Sequence, residues 1–396
     1  MYSKAQHNMS SHRILLLLPF LFMNACFGQA QGDAGRKHTM HSSILHEDRA
    51  YQIHLPASYA WASDRRYPVL YLLDGETHFQ HVAGSVSYLA SQGEIPEVIV
   101  VAITSTVRIR DFTQSDWSSH WIGGGGAENF RRFLSTELLP EIEGTYRTNS
   151  FRILSGHSAS GQFALYTLSS APSLFQGYVA ISPSLDWDDN LPRRSLQASF
   201  EHADSVRAFL YVAWADDLGD ALAEDLRVRN VLESASPKGL RWVTKGFPDE
   251  THGSIALLAH IDAMRQFFAG YRLHDDLLEK GFAFAEQHYR TVSETVGYTI
   301  PVPEETINNF AYEELNKGNL PQAIEYFKRN IAQNPNSANA FDGITDAYDK
   351  AGMWTEAIAS IEKAVALATR YSDPNLGYFQ KHLRKVKEKS TRASEK

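Results

Sequence analysis

Leu154-Ser155-Gly156-His157-Ser158-Ala159-Ser160-Gly161 is the stretch whose reading decides the fold. It follows the apolar run Phe151 to Leu154 and precedes a helical pattern, Gln162 to Ser169. A serine flanked by small residues between a strand and a helix matches G-x-S-x-G, where the serine occupies a sharp turn and its Oγ stands exposed above a sheet. Strand and helix nearly touch at such a turn, so the neighbours must be small. Gly156 is one of them. Ser160 stands where the pattern prefers glycine, and Gly161 follows one residue later.

Working outward, short apolar runs alternate with helical patterns from about residue 40 to 272. The runs are Tyr51 to Leu55, Pro68 to Leu73, Val98 to Ile103, Phe151 to Leu154, Tyr178 to Ile181, Ala208 to Ala213 and Arg241 to Phe247. Several are continuous rather than alternating, as strands buried on both faces require. Helical stretches such as Ala127 to Glu143 and Ile255 to Tyr271 lie between or after them. The alternation predicts an α/β fold with a mainly parallel central sheet flanked by helices.

A serine becomes a nucleophile only with a base, and the base needs an orienting acid. The chain supplies them in the order serine, acid, histidine. The run Ala208 to Ala213 leads into Trp214-Ala215-Asp216-Asp217, which sets a carboxylate just past a strand end. The next run, Arg241 to Phe247, leads into Pro248-Asp249-Glu250-Thr251-His252-Gly253-Ser254 and then a helix. His252 is therefore the expected base and Asp216 or Asp217 the acid, with Glu250 a remote third. Of the sixteen histidines, His260 falls inside the following helix and reads as packing or surface. His157 is the variable residue of the elbow and is expected to point away from it. His78 and His120 are placed in loops bordering the site. The oxyanion-stabilising N–H groups are expected from Ala159, after the nucleophile, and from Gly75 or Glu76 in the turn Leu73-Asp74-Gly75-Glu76-Thr77-His78-Phe79.

The chain has 396 residues, 43% hydrophobic and 21% charged, with a net charge of −8. This composition supports a sizeable core, and the acidic balance argues against binding nucleic acid through phosphate neutralisation. One cysteine permits neither an internal disulfide nor a thiolate metal cage. That cysteine, Cys26, follows the apolar run Ile14 to Met23, which is too short to span a bilayer and suits an export signal. Gly28-Gln29-Ala30 offers a cleavage site after residue 30. Met23-Asn24-Ala25-Cys26 offers a lipoprotein box, in which case the protein is membrane-anchored. The expected location is therefore exported, periplasmic or secreted, with either no cysteine or a lipidated one in the mature chain.

After Tyr271 the strands stop. Pro301 and Pro303 mark a boundary. Gly318, Ala323, Phe327 and Ile331 then recur thirty-four residues on as Gly352, Ala357, Ile361 and Val365, a period typical of tetratricopeptide helix pairs. The expected organisation is a signal segment over 1–30, an α/β domain over 36–272, a helical linker over 273–300, and an all-α repeat region with a capping helix over 301–390. Two units are few for a free-standing solenoid, so they are expected to pack on preceding helices, self-associate or bind a protein partner.

Taken in order, these stretches resemble the enterochelin-esterase-like branch of the α/β-hydrolase superfamily. The resemblance rests on Tyr67-Pro68-Val69-Leu70-Tyr71-Leu72-Leu73-Asp74-Gly75, Arg108-Ile109-Arg110-Asp111-Phe112-Thr113, Gly124-Gly125-Gly126-Ala127, Tyr146-Arg147-Thr148, the elbow, Ile181-Ser182-Pro183-Ser184-Leu185, and the Pro248 to Ser254 segment. It implies a serine hydrolase of carboxylic esters, with Ser158 as nucleophile, His252 as base and an acid in the Asp216/Asp217 turn. It implies a small-molecule ester as substrate, with neither metal nor organic cofactor. Siderophore, sugar-acetyl and aromatic esters all remain compatible. His78, Arg110 and Trp187 are candidates for substrate contact, although Arg110 is more readily a structural partner of Asp111 or a neighbour. Two departures stand out: Ser160 in place of glycine, and Ser105-Thr106-Val107-Arg108-Ile109 in place of a more polar segment. The competing readings are a catalytically idle hydrolase fold that acts as an interaction module, and cleavage of a related amide or thioester bond.

Overall fold

The computed structural model describes residues 35–120, 123–215 and 221–395. The expected export signal, its cleavage point and Cys26 lie outside the described residues. So do Asp216 and Asp217.

Strands β1 (Arg36–Ser42), β2 (Glu47–His54), β3 (Tyr67–Leu72), β4 (Ile99–Ile103), β5 (Thr148–His157), β6 (Gly177–Ile181), β7 (Ser205–Ala215) and β8 (Lys238–Phe247) form one eight-stranded sheet in the order β1-β2-β4-β3-β5-β6-β7-β8. The pairs β1/β2 and β2/β4 are antiparallel, and all pairs from β4 to β8 are parallel. The apolar runs predicted above fall on β2 to β8. The polar first strand, β1, was not expected as an element. It pairs along its whole length with β2 at the sheet's edge, and its sequence Arg-Lys-His-Thr-Met-His-Ser has too little alternation to declare itself.

The helices of the sheet module are α1 (Gly75–Ser91), α2 (Arg108–Phe112), α3 (Ala127–Phe133), α4 (Leu139–Thr145), α5 (Ala159–Ser170), α6 (Trp187–His202), α7 (Ala221–Ala235) and α8 (Ile255–Phe267). They cover both faces, which explains the continuous apolar runs. Val69 and Tyr71 of β3 join Leu73, Phe130, Phe163 and Leu196 in one core. Leu70 and Leu72 of the same strand join Val82 and Val86 of α1 and Ala259 and Ala263 of α8 in the other. This is the α/β-hydrolase arrangement, followed by a helix-rich region. The chain runs from β3 through α1 out to β4, then returns across β3 to β5. Such a reversal opens a crevice at the carboxyl ends of the strands, and in open α/β sheets that is where ligands bind.

Beyond the sheet come α9 (Asp275–Leu278), α10 (Phe282–Val296), α11 (Glu304–Lys317), α12 (Leu320–Gln333), α13 (Ala338–Lys350), α14 (Trp354–Arg370) and α15 (Leu376–Ser394). The stretch expected to be a linker is more than that. Phe282, Ala285, Tyr289 and Val292 of α10, with Ile307 and Phe310 of α11, enter the same core as α1 and α8. Arg65 completes the joint by donating from Nη1 to Glu97 (3.0 Å) and from Nη2 to Asn334 Oδ1 (2.9 Å). The thirty-four-residue recurrence places equivalent side chains in equivalent settings. Ala323, Phe327, Ala357 and Ile361 are all fully buried, and Gly318 and Gly352 both turn left-handed, at φ 82° and 71°, after α11 and α13. Among the described residues, no helix is long and apolar enough to cross a membrane.

Candidate active site

At the end of β5 the backbone of Ser158 turns to φ 61°, ψ −121°, a conformation that strains any residue with a Cβ by on the order of 1–3 kcal/mol. Its surroundings over-determine it. The Ser158 N–H donates to the Ile181 carbonyl (2.8 Å), and its carbonyl accepts the N–H groups of Gln162 (2.9 Å) and Ser184 (3.3 Å). A Cβ on Gly156 would collide with the Ser160 carbonyl, and one on Gly161 would sit 3.0 Å from the Ile181 carbonyl. The Ser158 side chain is half-buried, with its Oγ 3.5 Å from Ser184 Oγ. Ala159 opens α5, so its amide has no acceptor within the helix.

The neighbouring strand β3 ends in a second left-handed turn at Asp74, φ 52° and ψ 44°. A Cβ on Gly75 would lie 2.8 Å from the Ala102 carbonyl carbon and 2.9 Å from the Ile103 nitrogen, so only glycine lets α1 start this close to β4. Gly75 and Glu76 are the first residues of α1, again with amides that the helix leaves unpaired. The Glu76 carboxylate accepts the Ser105 N–H (3.0 Å) and so braces the loop after β4.

His252 lies on the exposed turn between β8 and α8. That turn is pinned by reciprocal bonds: Thr251 N–H to Ser254 Oγ (2.9 Å) and Ser254 N–H to Thr251 Oγ1 (3.2 Å). Glu250 accepts the Ser254 hydroxyl (2.5 Å), which commits the remote third acid to holding the turn. The His252 ring meets that of His157 at 4.7 Å between centroids, tilted by 43°. His157 immediately precedes Ser158, so this contact brings the histidine turn to the elbow.

His157 therefore does not point away from the site as expected. It is buried beneath it, because the residue before the elbow ends a strand covered on both faces. Its ring also contacts His78 (5.6 Å), and His78 contacts His81 (5.2 Å) and His260 (5.7 Å). His78 is likewise corrected: it sits inside α1, buried, with Nδ1 3.0 Å from His81 Nε2, not in a rim loop. His260 is buried, as expected of a packing residue. Its Nδ1–H donates to the Ala256 carbonyl (2.5 Å), so its Nε2 accepts from Ser155 Oγ (2.9 Å). Burial, then the proximity of other histidines, pushes His81 and His157 down to about 4 and His260 well below its ordinary value. The column is thus neutral at ordinary pH. Among the described residues, no group of three or more His, Cys, Asp or Glu side chains is placed to hold a metal ion.

Arg110 is paired with carboxylates. Its Nη2 donates to Glu47 (2.7 Å) and its Nε to Asp111 (2.8 Å), and Asp111 also pairs with the buried Arg49. Hydrogen bonding to Glu47, opposed by partial burial, raises the guanidinium above its usual range. Trp187 opens α6 three residues after Ser184. Its Nε1–H donates to Ser115 Oγ (3.2 Å), and its ring meets Trp117 edge-on at 5.2 Å. Trp117 in turn stacks on the exposed His120 at 5.6 Å. The sequence reading passed over Trp117, and also over Asp74 and Arg108, which hold the two turns. An acidic residue just before a required glycine was the available signal for Asp74.

A family model described as "Putative esterase" matches residues 42–245, just over half of the chain. The chain belongs to that family. Within it, the chain is 35% identical over 166 residues to the ferri-bacillibactin esterase BesA of Bacillus subtilis (strain 168), an alignment that covers 37% of this chain and 57% of BesA. It is 29% identical over 152 residues to the apo-salmochelin esterase of Escherichia coli O6:H1, covering 35% and 48% of the two chains. The chain thus spans roughly half the length of these curated relatives. Among solved structures, an IroE-like serine hydrolase from Shewanella oneidensis superposes with a TM-score of 0.65 at 27% identity, over 76% of this chain and 99% of the other.

Proposed function

We propose that the protein hydrolyses carboxylic esters through an acyl-enzyme formed on Ser158. The observation that carries this reading is the left-handed Ser158 at the carboxyl end of a central parallel strand, a strained serine held by neighbours that include two glycines crowded by backbone. In the proposed reaction His252 accepts the Ser158 proton as Oγ attacks the ester carbonyl. The amides of Ala159 and of Gly75 or Glu76 receive the developing oxyanion. The protonated base then gives its proton to the leaving alcohol, and water deprotonated by His252 frees the acid. Asp216 or Asp217 is proposed to orient His252 from the turn after β7. Trp117 and Trp187 pack edge-on into an aromatic pair, and Trp187 opens the helix three residues after Ser184. Together with the siderophore-ester names of the relatives, this favours a bulky ester over a short acetyl group. The test is hydrolysis of p-nitrophenyl esters and of ester-linked siderophores by the purified protein. Ser158→Ala is expected to lower kcat by about 10⁴-fold or more, and retained turnover in that variant would refute the assignment.

A further inference from the structure

The two turns proposed to hold the oxyanion come from adjacent strands that stop guiding each other just before them. The β3/β5 ladder runs to Leu72 opposite Ser155, with a last bond from the Leu73 N–H to the Ser155 carbonyl (2.9 Å). Beyond it α1 leaves toward one face and α5 toward the other. The ladder therefore does not set the distance between the Gly75/Glu76 amides and that of Ala159. Oxyanion stabilisation requires its donors within about 2.7–3.1 Å of the developing charge, so something else must set it.

Asp74 immediately precedes Gly75, and Ser160 immediately follows Ala159. Both are buried, at 4% and 0% exposure, and they are bonded to each other. Ser160 Oγ accepts the His157 N–H (2.8 Å) and donates to Asp74 Oδ2 (2.6 Å). The hydroxyl has one proton, and although the His157 carbonyl is also within reach at 2.9 Å, the charged and closer carboxylate takes it. Arg108 makes a second span. Its Nε and Nη2 grip Asp74 Oδ1 and Oδ2 (2.9 and 3.0 Å), and Nη2 also donates to the His157 carbonyl (2.8 Å). Ser105 Oγ donates to Asp74 Oδ1 (2.7 Å). Burial alone would raise the Asp74 carboxyl, but the Arg108 fork and the Ser160 and Ser105 hydroxyls outweigh it and hold the group below the usual carboxylate range. The brace is therefore ionised at neutral pH.

We propose that Ser160 and Asp74 form a buried cross-brace that positions the two oxyanion-stabilising turns. They act through the backbone amides beside them and are positioning residues. The proposal rests on the Ser158 reading above and adds to it. Ser160 stands where the elbow pattern prefers glycine, and glycine offers no hydroxyl for this bond. What looked like a departure from the pattern is here an added tie.

The experiment compares Ser160→Ala and Ser160→Gly with wild type, in hydrolysis of p-nitrophenyl esters and in inhibition by phenylboronic acid, which adds to a serine Oγ to form a tetrahedral anion. Glycine suits the space and the pattern, so Ser160→Gly serves if the alanine variant folds poorly. Both variants are expected to lose about tenfold or more in kcat with KM changed by no more than about twofold, since one loosened oxyanion donor is worth up to about 10²–10³. Boronate affinity is expected to fall in parallel with kcat. A kcat within about twofold of wild type, or a lower kcat with unchanged boronate affinity, overturns the brace. A wild-type protein that neither hydrolyses the esters nor binds the boronate instead overturns the serine reading, and the brace with it.

Discussion

Two turns at the carboxyl edge of the sheet use a non-glycine residue with positive φ to opposite ends. Asp74 after β3 and Ser158 after β5 are both non-glycine residues with positive φ, at 52° and 61°, and each sets the first residue of a helix. Asp74 is buried and bonded to Arg108, Ser105 and Ser160. Ser158 is half-buried, and the described contact of its Oγ is a long one to Ser184. One turn puts its strain into a satisfied ionic network. The other leaves its hydroxyl half-buried at the carboxyl edge of the sheet, where it is proposed to react. A left-handed residue at a strand end is thus a marker of design, and the state of its side chain separates a structural use from a chemical one.

The comparison can be broken by substitution. Asp74→Ala removes the carboxylate from Arg108 and two hydroxyls. Because the Arg108 side chain is 36% exposed, the loss should be somewhat less than for a fully buried pair, about 2–3 kcal/mol in urea unfolding. Ser158→Gly should move stability the other way, raising it by about 1–2 kcal/mol through release of the left-handed strain while removing turnover. If both substitutions destabilise equally, the two turns do not differ as described.

A further effect comes from pH. The histidine column beneath the elbow protonates in the unfolded chain near 6.5, but in the folded chain His81 and His157 do so only near 4. Between those values the unfolded chain binds more protons, so stability rises with pH there. The contribution is fully present above about pH 6.5 and is lost as pH falls toward 4. Each histidine contributes a slope of at most about 1.4 kcal/mol per pH unit. Urea midpoints measured from pH 4 to 8 should show the fall, and His81→Phe should flatten it. A flat profile in wild type would mean that the column is solvated.

Much of this was legible in the chain. The runs Pro68 to Leu73 and Val98 to Ile103 read as doubly buried strands because they are continuously apolar, and their alternate residues do enter two separate cores. The strand–turn–helix at Ser158 and the tight turn at Gly75 came from spacing and small residues. What stayed hidden depends on contacts between distant segments. His157 and His78 meet across seventy-nine positions, and the Asp74–Ser160 bond spans eighty-six. Neither leaves any local pattern. β1 was hidden for a different reason: its partner β2, not its own periodicity, makes it a strand. The stretch 273–300 read as a helical linker because it lies between the last strand and the Pro301/Pro303 boundary, and only the fold shows that Phe282 and Tyr289 enter a core of the sheet.

The central claim is that Ser158 is an activated nucleophile. Its most direct measurement is reaction of the purified protein with a fluorophosphonate, followed by intact-mass and peptide analysis. The expected result is one adduct, on the peptide that contains Ser158, formed at the rate at which ester hydrolysis disappears and absent from Ser158→Ala. No adduct, or an adduct elsewhere while hydrolysis persists, would contradict the account.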